Sequence, residues 1–256
     1  MKDITVIIPV HEYNDDVKKL LENAINSVPK GMNIIISSVI KVGEEINEDF
    51  SKNKNITVIN TVDTEKTSFC NLTNNAVNSV ETKWFSILEF DDVYTNIWFD
   101  NVKTYIKFKP EYNVFLPLTE LTNFEDGKFL GYGNEAPWAT SFSNEIGTID
   151  NDCLQEFFDF YLTGGVFNTE SWKNNGGLKP SIKLTFWYEF LLRITNNNEK
   201  VFVIPKLGYK HFLNRKNSVY DIYKNTMTGE ESEWWFGTAK QESLFKEDRN
   251  KTYIKK

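Results

Sequence analysis

The chain has 256 residues, a formal net charge of −7 and 40% apolar content, including 20 Phe, 11 Tyr and 7 Trp. That is enough apolar material for one large domain with a true core, and it argues against a disordered chain. The acidic balance, with no basic block longer than the tail pair Lys255 and Lys256, argues against nucleic acid as the main partner. In chain order, ITVIIPV (4–10) is a continuous, β-branched apolar run that predicts a first strand covered on both faces. Asn14 and Asp15 can cap the helix that follows, whose apolar stripe is Val17, Leu20, Leu21, Ala24, Ile25 and Val28. Pro29 and Gly31 close it. NIIISSV (33–39) and ITVIN (56–60) read as strands, 71–80 as a short helix, and WFSILEF (84–90) as a fourth strand. Strands alternating with helices predict an α/β unit with a mostly parallel sheet.

Further on, VFLPL (114–118) suits a strand, 119–152 is polar and turn-rich, 185–195 suits a helix, VFVIP (201–205) a strand and 229–247 a C-terminal helix. No apolar run reaches the roughly 20 residues that span a bilayer, and the first strand lacks the flanks of a signal peptide. Cys70 and Cys153 stand far apart in no metal spacing, which suits free thiols, a reducing compartment and a cytoplasmic location.

The stretch WFSILEFDD (84–92) carries a buried-looking run straight into Glu89, Asp91 and Asp92. Ligands of open α/β sheets bind beyond the carboxyl ends of the strands, where these acids would lie. Three acids in four positions repel one another, so a neighbouring positive charge is expected. Acid-x-acid spacing suits a hard divalent cation bridging to phosphate; a solvated strand edge is the plainer alternative.

The wider pattern resembles the inverting GT-A glycosyltransferases of family two. IIPVHEYND stands where that family has its first strand and Pro-x-Tyr-Asn-like turn. LTNNA (72–76) fills the slot of its Ala-Arg-Asn-x-Gly helix, and LEFDD (88–92) that of Leu-Asp-x-Asp-Asp. GGL (176–178) with Arg193, and PKLGYKHFLNRKNS (205–218), match two later blocks. The resemblance covers roughly residues 3 to 218 and implies a GT-A (Rossmann-like) domain over 1–218, split into a nucleotide-binding half (1–110) and an acceptor half (111–218). Residues 219–256 have no counterpart in the family core and read from their own pattern as a C-terminal helical extension.

It further implies a nucleotide-diphosphate sugar donor, Mn²⁺ or Mg²⁺ as cofactor, and a glycan or other hydroxyl acceptor. Pro9, His11, Tyr13, Asn14 and Asn74 would line the nucleotide. Asp91 would bind the metal, with Glu89 toward the ribose or the metal and Asp92 in support, and His211 and Arg215 would approach the diphosphate or the metal from the far side. A packed or surface histidine is the plain alternative for His211. Ser37 or Ser38 stands where the family has a base-contacting Asp.

The family's catalytic Glu-Asp pair should fall at 186 and 187, where this chain has Phe186 and Trp187. Trp187 also fits an apolar helix face. Glu189 is the nearest acid and the candidate general base, although its spacing from Arg193 equally suits a helix ion pair. Glu135, Glu145 and Asp159 are further candidates. The glycines of FYLTGGVF (160–167) would let a sugar approach; Tyr132, Trp138, Phe142 and Trp172 could stack on one or simply pack the core. SEWWF (232–236) suits docking or homo-oligomerisation through the C-terminal helix. A catalytically inactive nucleotide-sugar or glycan-binding module is the rival reading. A nucleotidyltransferase ranks lower, because HEYNDD is acidic where that class needs a basic, Gly-rich loop.

Overall fold

The computed structural model describes residues 3–62, 69–125, 128–135, 147–156, 162–182, 185–213, 215, 218 and 237. The elements are β1 (Ile4–Pro9), α1 (Asp15–Ser27), β2 (Asn33–Val39), α2 (Ile40–Phe50), β3 (Ile56–Thr61), α3 (Phe69–Asn78), β4 (Trp84–Ile87), β5 (Val93–Tyr94), α4 (Trp98–Phe108), β6 (Val114–Glu125), β7 (Lys128–Glu135), β8 (Thr148–Ile149), α5 (Asn151–Glu156), β9 (Val166–Asn168), α6 (Thr169–Asn174), α7 (Phe186–Asn196) and β10 (Val201–Leu213).

The strands form one mixed sheet. Its first half, in the order β3-β2-β1-β4, is parallel throughout. β9 then runs antiparallel between β4 and β6. β10 lies parallel to β6, while β5 and β8 pair antiparallel with β10 and β7 pairs antiparallel with β6. Helices cover both faces. Ile4, Val6 and Ile8 of β1 point into one core with α1, α2 and α4, and Ile7 points into the other with α3, α5, α6 and α7. A strand buried on both faces needs apolar residues or satisfied polar ones at every position, which is why β1 is apolar except at Thr5, whose hydroxyl is hydrogen-bonded to that of Thr82.

The α/β expectation holds, with differences that have physical causes. β4 ends at Ile87, not at Phe90, because the chain turns at Glu89. β6 continues to Glu125 and hairpins with β7, so much of the polar stretch after residue 118 is strand. Helix α2 was hidden because it has no side-chain cap and holds Gly43, where a Cβ would lie 1.9 Å from Asn60 Oδ1. The expected helix over 229–247 lies outside the described residues, Gly237 apart.

Gly164 does not make room for a sugar. It has φ +77°, and a Cβ there would sit 2.5 Å from the ring of Tyr209, which is fully buried on β10. Gly164 N–H also donates to Ile87 O at 2.8 Å, anchoring the loop before β9 to the end of β4. Gly164→Ala is therefore expected to destabilise the protein by about 2–4 kcal/mol, combining left-handed strain with overpacking; denaturant unfolding checks this, and a change under about 0.5 kcal/mol would show that Tyr209 can yield.

Candidate active site

The acidic segment is a β-turn. Leu88 N–H donates to Ile7 O, so the chain stays in the sheet to that point, and Asp92 N–H then donates back to Glu89 O at 3.1 Å. The turn hands the chain to β5, whose Tyr94 and Val93 pair with Tyr209 and Lys210 of β10. One step before β5 and one step further along β10, Asp92 meets His211. The hydroxyl of Tyr209 accepts from Glu89 N–H at 3.0 Å, pinning the other end of the turn.

Asp92 is fully buried. Its Oδ2 lies 2.7 Å from His211 Nδ1 and its Oδ1 accepts from Phe212 N–H at 2.9 Å. Burial opposes a charge on His211, but the charge and hydrogen bond of Asp92, helped by Glu89 and Asp91, outweigh it and push the imidazole up to about 10. His211 is thus a cation at neutral pH. Burial, reinforced by the charge of Asp92, raises Glu89 to about 8. Donor atoms of Glu89, Asp92 and His211 lie within 4.8 Å of one another. Ligands on an octahedral ion at about 2.1 Å lie about 3.0 Å apart when adjacent and about 4.2 Å apart when opposite, so the set would draw together around an ion. Asp92 has both oxygens engaged, so Glu89 and His211 are the donors left for an ion, and a carboxylate with an imidazole fits Mn²⁺ better than Mg²⁺, which prefers an all-oxygen shell. The side-chain contacts described for Asp91 lead elsewhere, to Arg215.

Arg215 Nε donates to Asp91 Oδ2 at 2.5 Å and Nη1 to Glu12 Oε1 at 3.0 Å. Its guanidinium lies over the Phe90 ring, 4.8 Å from the centroid. The His11 ring meets Phe90 at 5.4 Å, and His11 Nε2 is buried without a hydrogen bond. Burial holds His11 below its ordinary pKa, against the pull of Glu12. The charge that offsets the acids in this structure is therefore supplied by His211 and Arg215. Glu12, Phe90 and Tyr209 were not singled out from the sequence, although all three lie inside the motifs that were.

The remaining candidates have other partners. Pro9 ends β1 beside Ser37. Ser37 is fully buried, its Oγ without a hydrogen bond, whereas Ser38 Oγ donates to Val10 O. Tyr13 donates to Asp49 Oδ2 at 2.7 Å, and Asn14 caps α1 by accepting from Asp16 and Val17 N–H. Asn74 forms a two-way clamp on Leu178, donating to its carbonyl at 2.7 Å and accepting from its N–H at 2.9 Å. That clamp seats the turn at Gly177, where a Cβ would meet Asn74 Oδ1 at 2.4 Å.

Glu189 is 0% exposed. Its two oxygens accept from Arg193 Nε and Nη2, each at 2.7 Å, and Lys179 Nζ lies 3.1 Å away. Arg193 in turn donates to Asn175 O and Gly177 O. This is the ion-pair alternative that the spacing allowed. A general base must reach the acceptor hydroxyl, and a carboxylate held this way inside the core has no such reach. Trp187 packs on Phe69 and Phe186, and Trp172 on Phe85, Phe167 and Phe190, so both serve the core. Glu135 ends β7 opposite Thr119 of β6. Trp138, Phe142, Glu145 and Asp159 lie outside the described residues, and the side chain of Tyr132 is not described.

Two outcomes follow. Glu189→Gln should cost about 3–5 kcal/mol in denaturant unfolding, because it strands a buried guanidinium; a loss under about 0.5 kcal/mol, the scale of an exposed helix pair, would mean that the pair is not structural. The protein has two histidines, His11 and His211. In an NMR titration one imidazole should titrate below 6.5 and the other near 10, and the latter should fall toward 6.5 in Asp92→Asn. Because the folded pKa of His211 is the higher one, its stabilising contribution is complete below about pH 6.5 and is lost as the pH rises through about 10.

No protein-family model matches the sequence, and a sequence search of curated proteins finds no match. Solved structures do match. S. aureus TarS 1–349 superposes with a TM-score of 0.61 at 16% identity, covering 88% of this chain and 63% of that one. The same protein in complex with UDP gives 0.58 at 16% identity, covering 88% and 63%. Its complex with UDP-GlcNAc gives 0.62 at 15% identity, covering 86% and 60%. The chain thus spans less than two thirds of the TarS 1–349 chains that it matches. With this sheet order and the acidic turn at its carboxyl edge, the likeness shows that the chain has the GT-A glycosyltransferase fold.

Proposed function

We propose that this protein transfers a sugar from a nucleotide-diphosphate sugar to a hydroxyl acceptor, with a glycan as the acceptor that the resemblance above implies. The observation that carries the reading is the convergence of Glu89, Asp92 and His211 at the carboxyl edge of a GT-A sheet. Support comes from the fold's likeness to a protein solved with UDP and with UDP-GlcNAc.

In this reading Glu89 and His211, backed by Asp92, would hold a divalent cation, for which Mn²⁺ is the better fit; each would give up a proton on binding it, since both are protonated at neutral pH without it. When bound, such an ion neutralises charge on a leaving diphosphate. Asp92 orients the His211 ring from behind, as carboxylates commonly do for histidine ligands. Arg215 faces the same mouth from the segment after β10. Proton abstraction is not assigned to Glu189, whose oxygens are both engaged.

The engaged Glu189 and the Trp187 at the family's acid position favour a second reading, in which the protein binds a nucleotide-sugar or glycan without turning it over. Both readings share the donor site and differ in turnover. Calorimetry with UDP-GlcNAc and other nucleotide-sugars should show binding that is much tighter with Mn²⁺ than with EDTA. Glu89→Gln should remove most of that difference. The wild type should lose stability relative to the unliganded variant as the pH rises from about 4.5 to about 8, because the unfolded state ionises first, so that above about pH 8 the variant melts higher. Equal binding with EDTA and Mn²⁺ would exclude the metal, and no binding of any nucleotide-sugar would exclude the reading. Donor turnover with glycan acceptors, or its absence despite tight binding, separates transferase from binding module.

A further inference from the structure

Glu12 is a carboxylate to which no role has yet been given. It lies in the turn between β1 and α1, and its contacts tie together three elements far apart in the chain. Arg215, 203 residues away, donates Nη1 to its Oε1 at 3.0 Å. The same guanidinium donates Nε to Asp91 at 2.5 Å, across 124 residues, and lies 4.8 Å above the Phe90 ring. His11 covers Phe90 from the turn itself, with its Nε2 3.7 Å from Glu12 Oε1. Only 19% of the Arg215 side chain is exposed.

A single bond to Asp91 would leave the guanidinium free to swivel about the Nε–Oδ2 contact. A second carboxylate on Nη1 fixes the plane of the fork, and the Phe90 face fixes its tilt. An arginine gripping an anion normally gives up much rotamer freedom; one already oriented gives up less on binding. Planar, directed donors are what a diphosphate oxygen pair requires.

We propose that Glu12 is a positioning residue that orients Arg215 as an anion clamp for the diphosphate of the donor. The inference rests on the donor reading above. It concerns how the anion is held, and so can fail while that reading stands.

The test is calorimetry of UDP, UMP and inorganic pyrophosphate against the full chain, as wild type, Glu12→Gln and Glu12→Asp, with melting temperatures recorded for each. Gln keeps the size and an acceptor oxygen but removes the charge. Glu12→Gln should weaken UDP and pyrophosphate about tenfold, on the scale of the lower end of what removing the partner behind a metal ligand costs. UMP should stay within about twofold of wild type. Glu12→Asp, which keeps the charge on a shorter arm, should fall between the two, and it carries the test if the Gln variant does not fold. A UDP-to-UMP affinity ratio unchanged from wild type in both variants would overturn the proposal and leave Glu12 as a strut. Equal weakening of UDP and UMP would overturn it too, because the whole site would then have shifted. A wild-type protein that binds neither UDP nor pyrophosphate would overturn this inference together with the donor reading.

Discussion

The site depends on one buried contact, that between Asp92 and His211. Asp92 has no exposure, and both its oxygens are used, one at the imidazole and one at the Phe212 amide. A buried carboxylate is tolerable only when it is paired and hydrogen-bonded. Here the partner arrives because β5, two residues long, pairs with β10 and so folds the acidic turn onto that strand. Tyr209 completes the joint: its ring packs on Gly164 and Tyr94, and its hydroxyl holds the Glu89 amide.

Around that contact the charges are arranged in pairs that limit repulsion. Asp92 faces His211, Asp91 and Glu12 share Arg215, and burial keeps Glu89 protonated to about pH 8. The cluster is therefore close to balanced from its own side chains. Charges held in fixed positions in a water-poor site interact more strongly than they would in water, and little reorganisation remains when an anion or cation enters.

A second network stabilises the opposite face. Glu189, Arg193 and Lys179 form a buried ion cluster whose guanidinium grips the carbonyls of Asn175 and Gly177. Asn74 of α3 clamps the next residue, Leu178, through both its N–H and its carbonyl. Two residues that the resemblance placed in binding or catalysis thus hold the turn between α6 and α7. A motif position transfers between distant relatives as a place in the fold; what its side chain does there depends on its neighbours.

The amino-acid sequence by itself determined most of the first half of the fold, α2 excepted. β1, α1, β2 and β3 are legible because the buried strands are apolar at most positions, β3 is a short β-branched run, and a helix covered on one face must repeat near 3.6 residues. It also determined that acids stand at the carboxyl edge of the sheet, since LEFDD follows a buried run directly. Tertiary structure alone decided which acid meets which cation. Asp92 finds His211 across 119 residues and Glu12 finds Arg215 across 203, and no local periodicity encodes pairings at such separations. It also decided between two roles for Glu189. The i, i+4 spacing to Arg193 is the same on an exposed helix face and in a core, and only the packing of α7 removed that carboxylate from water.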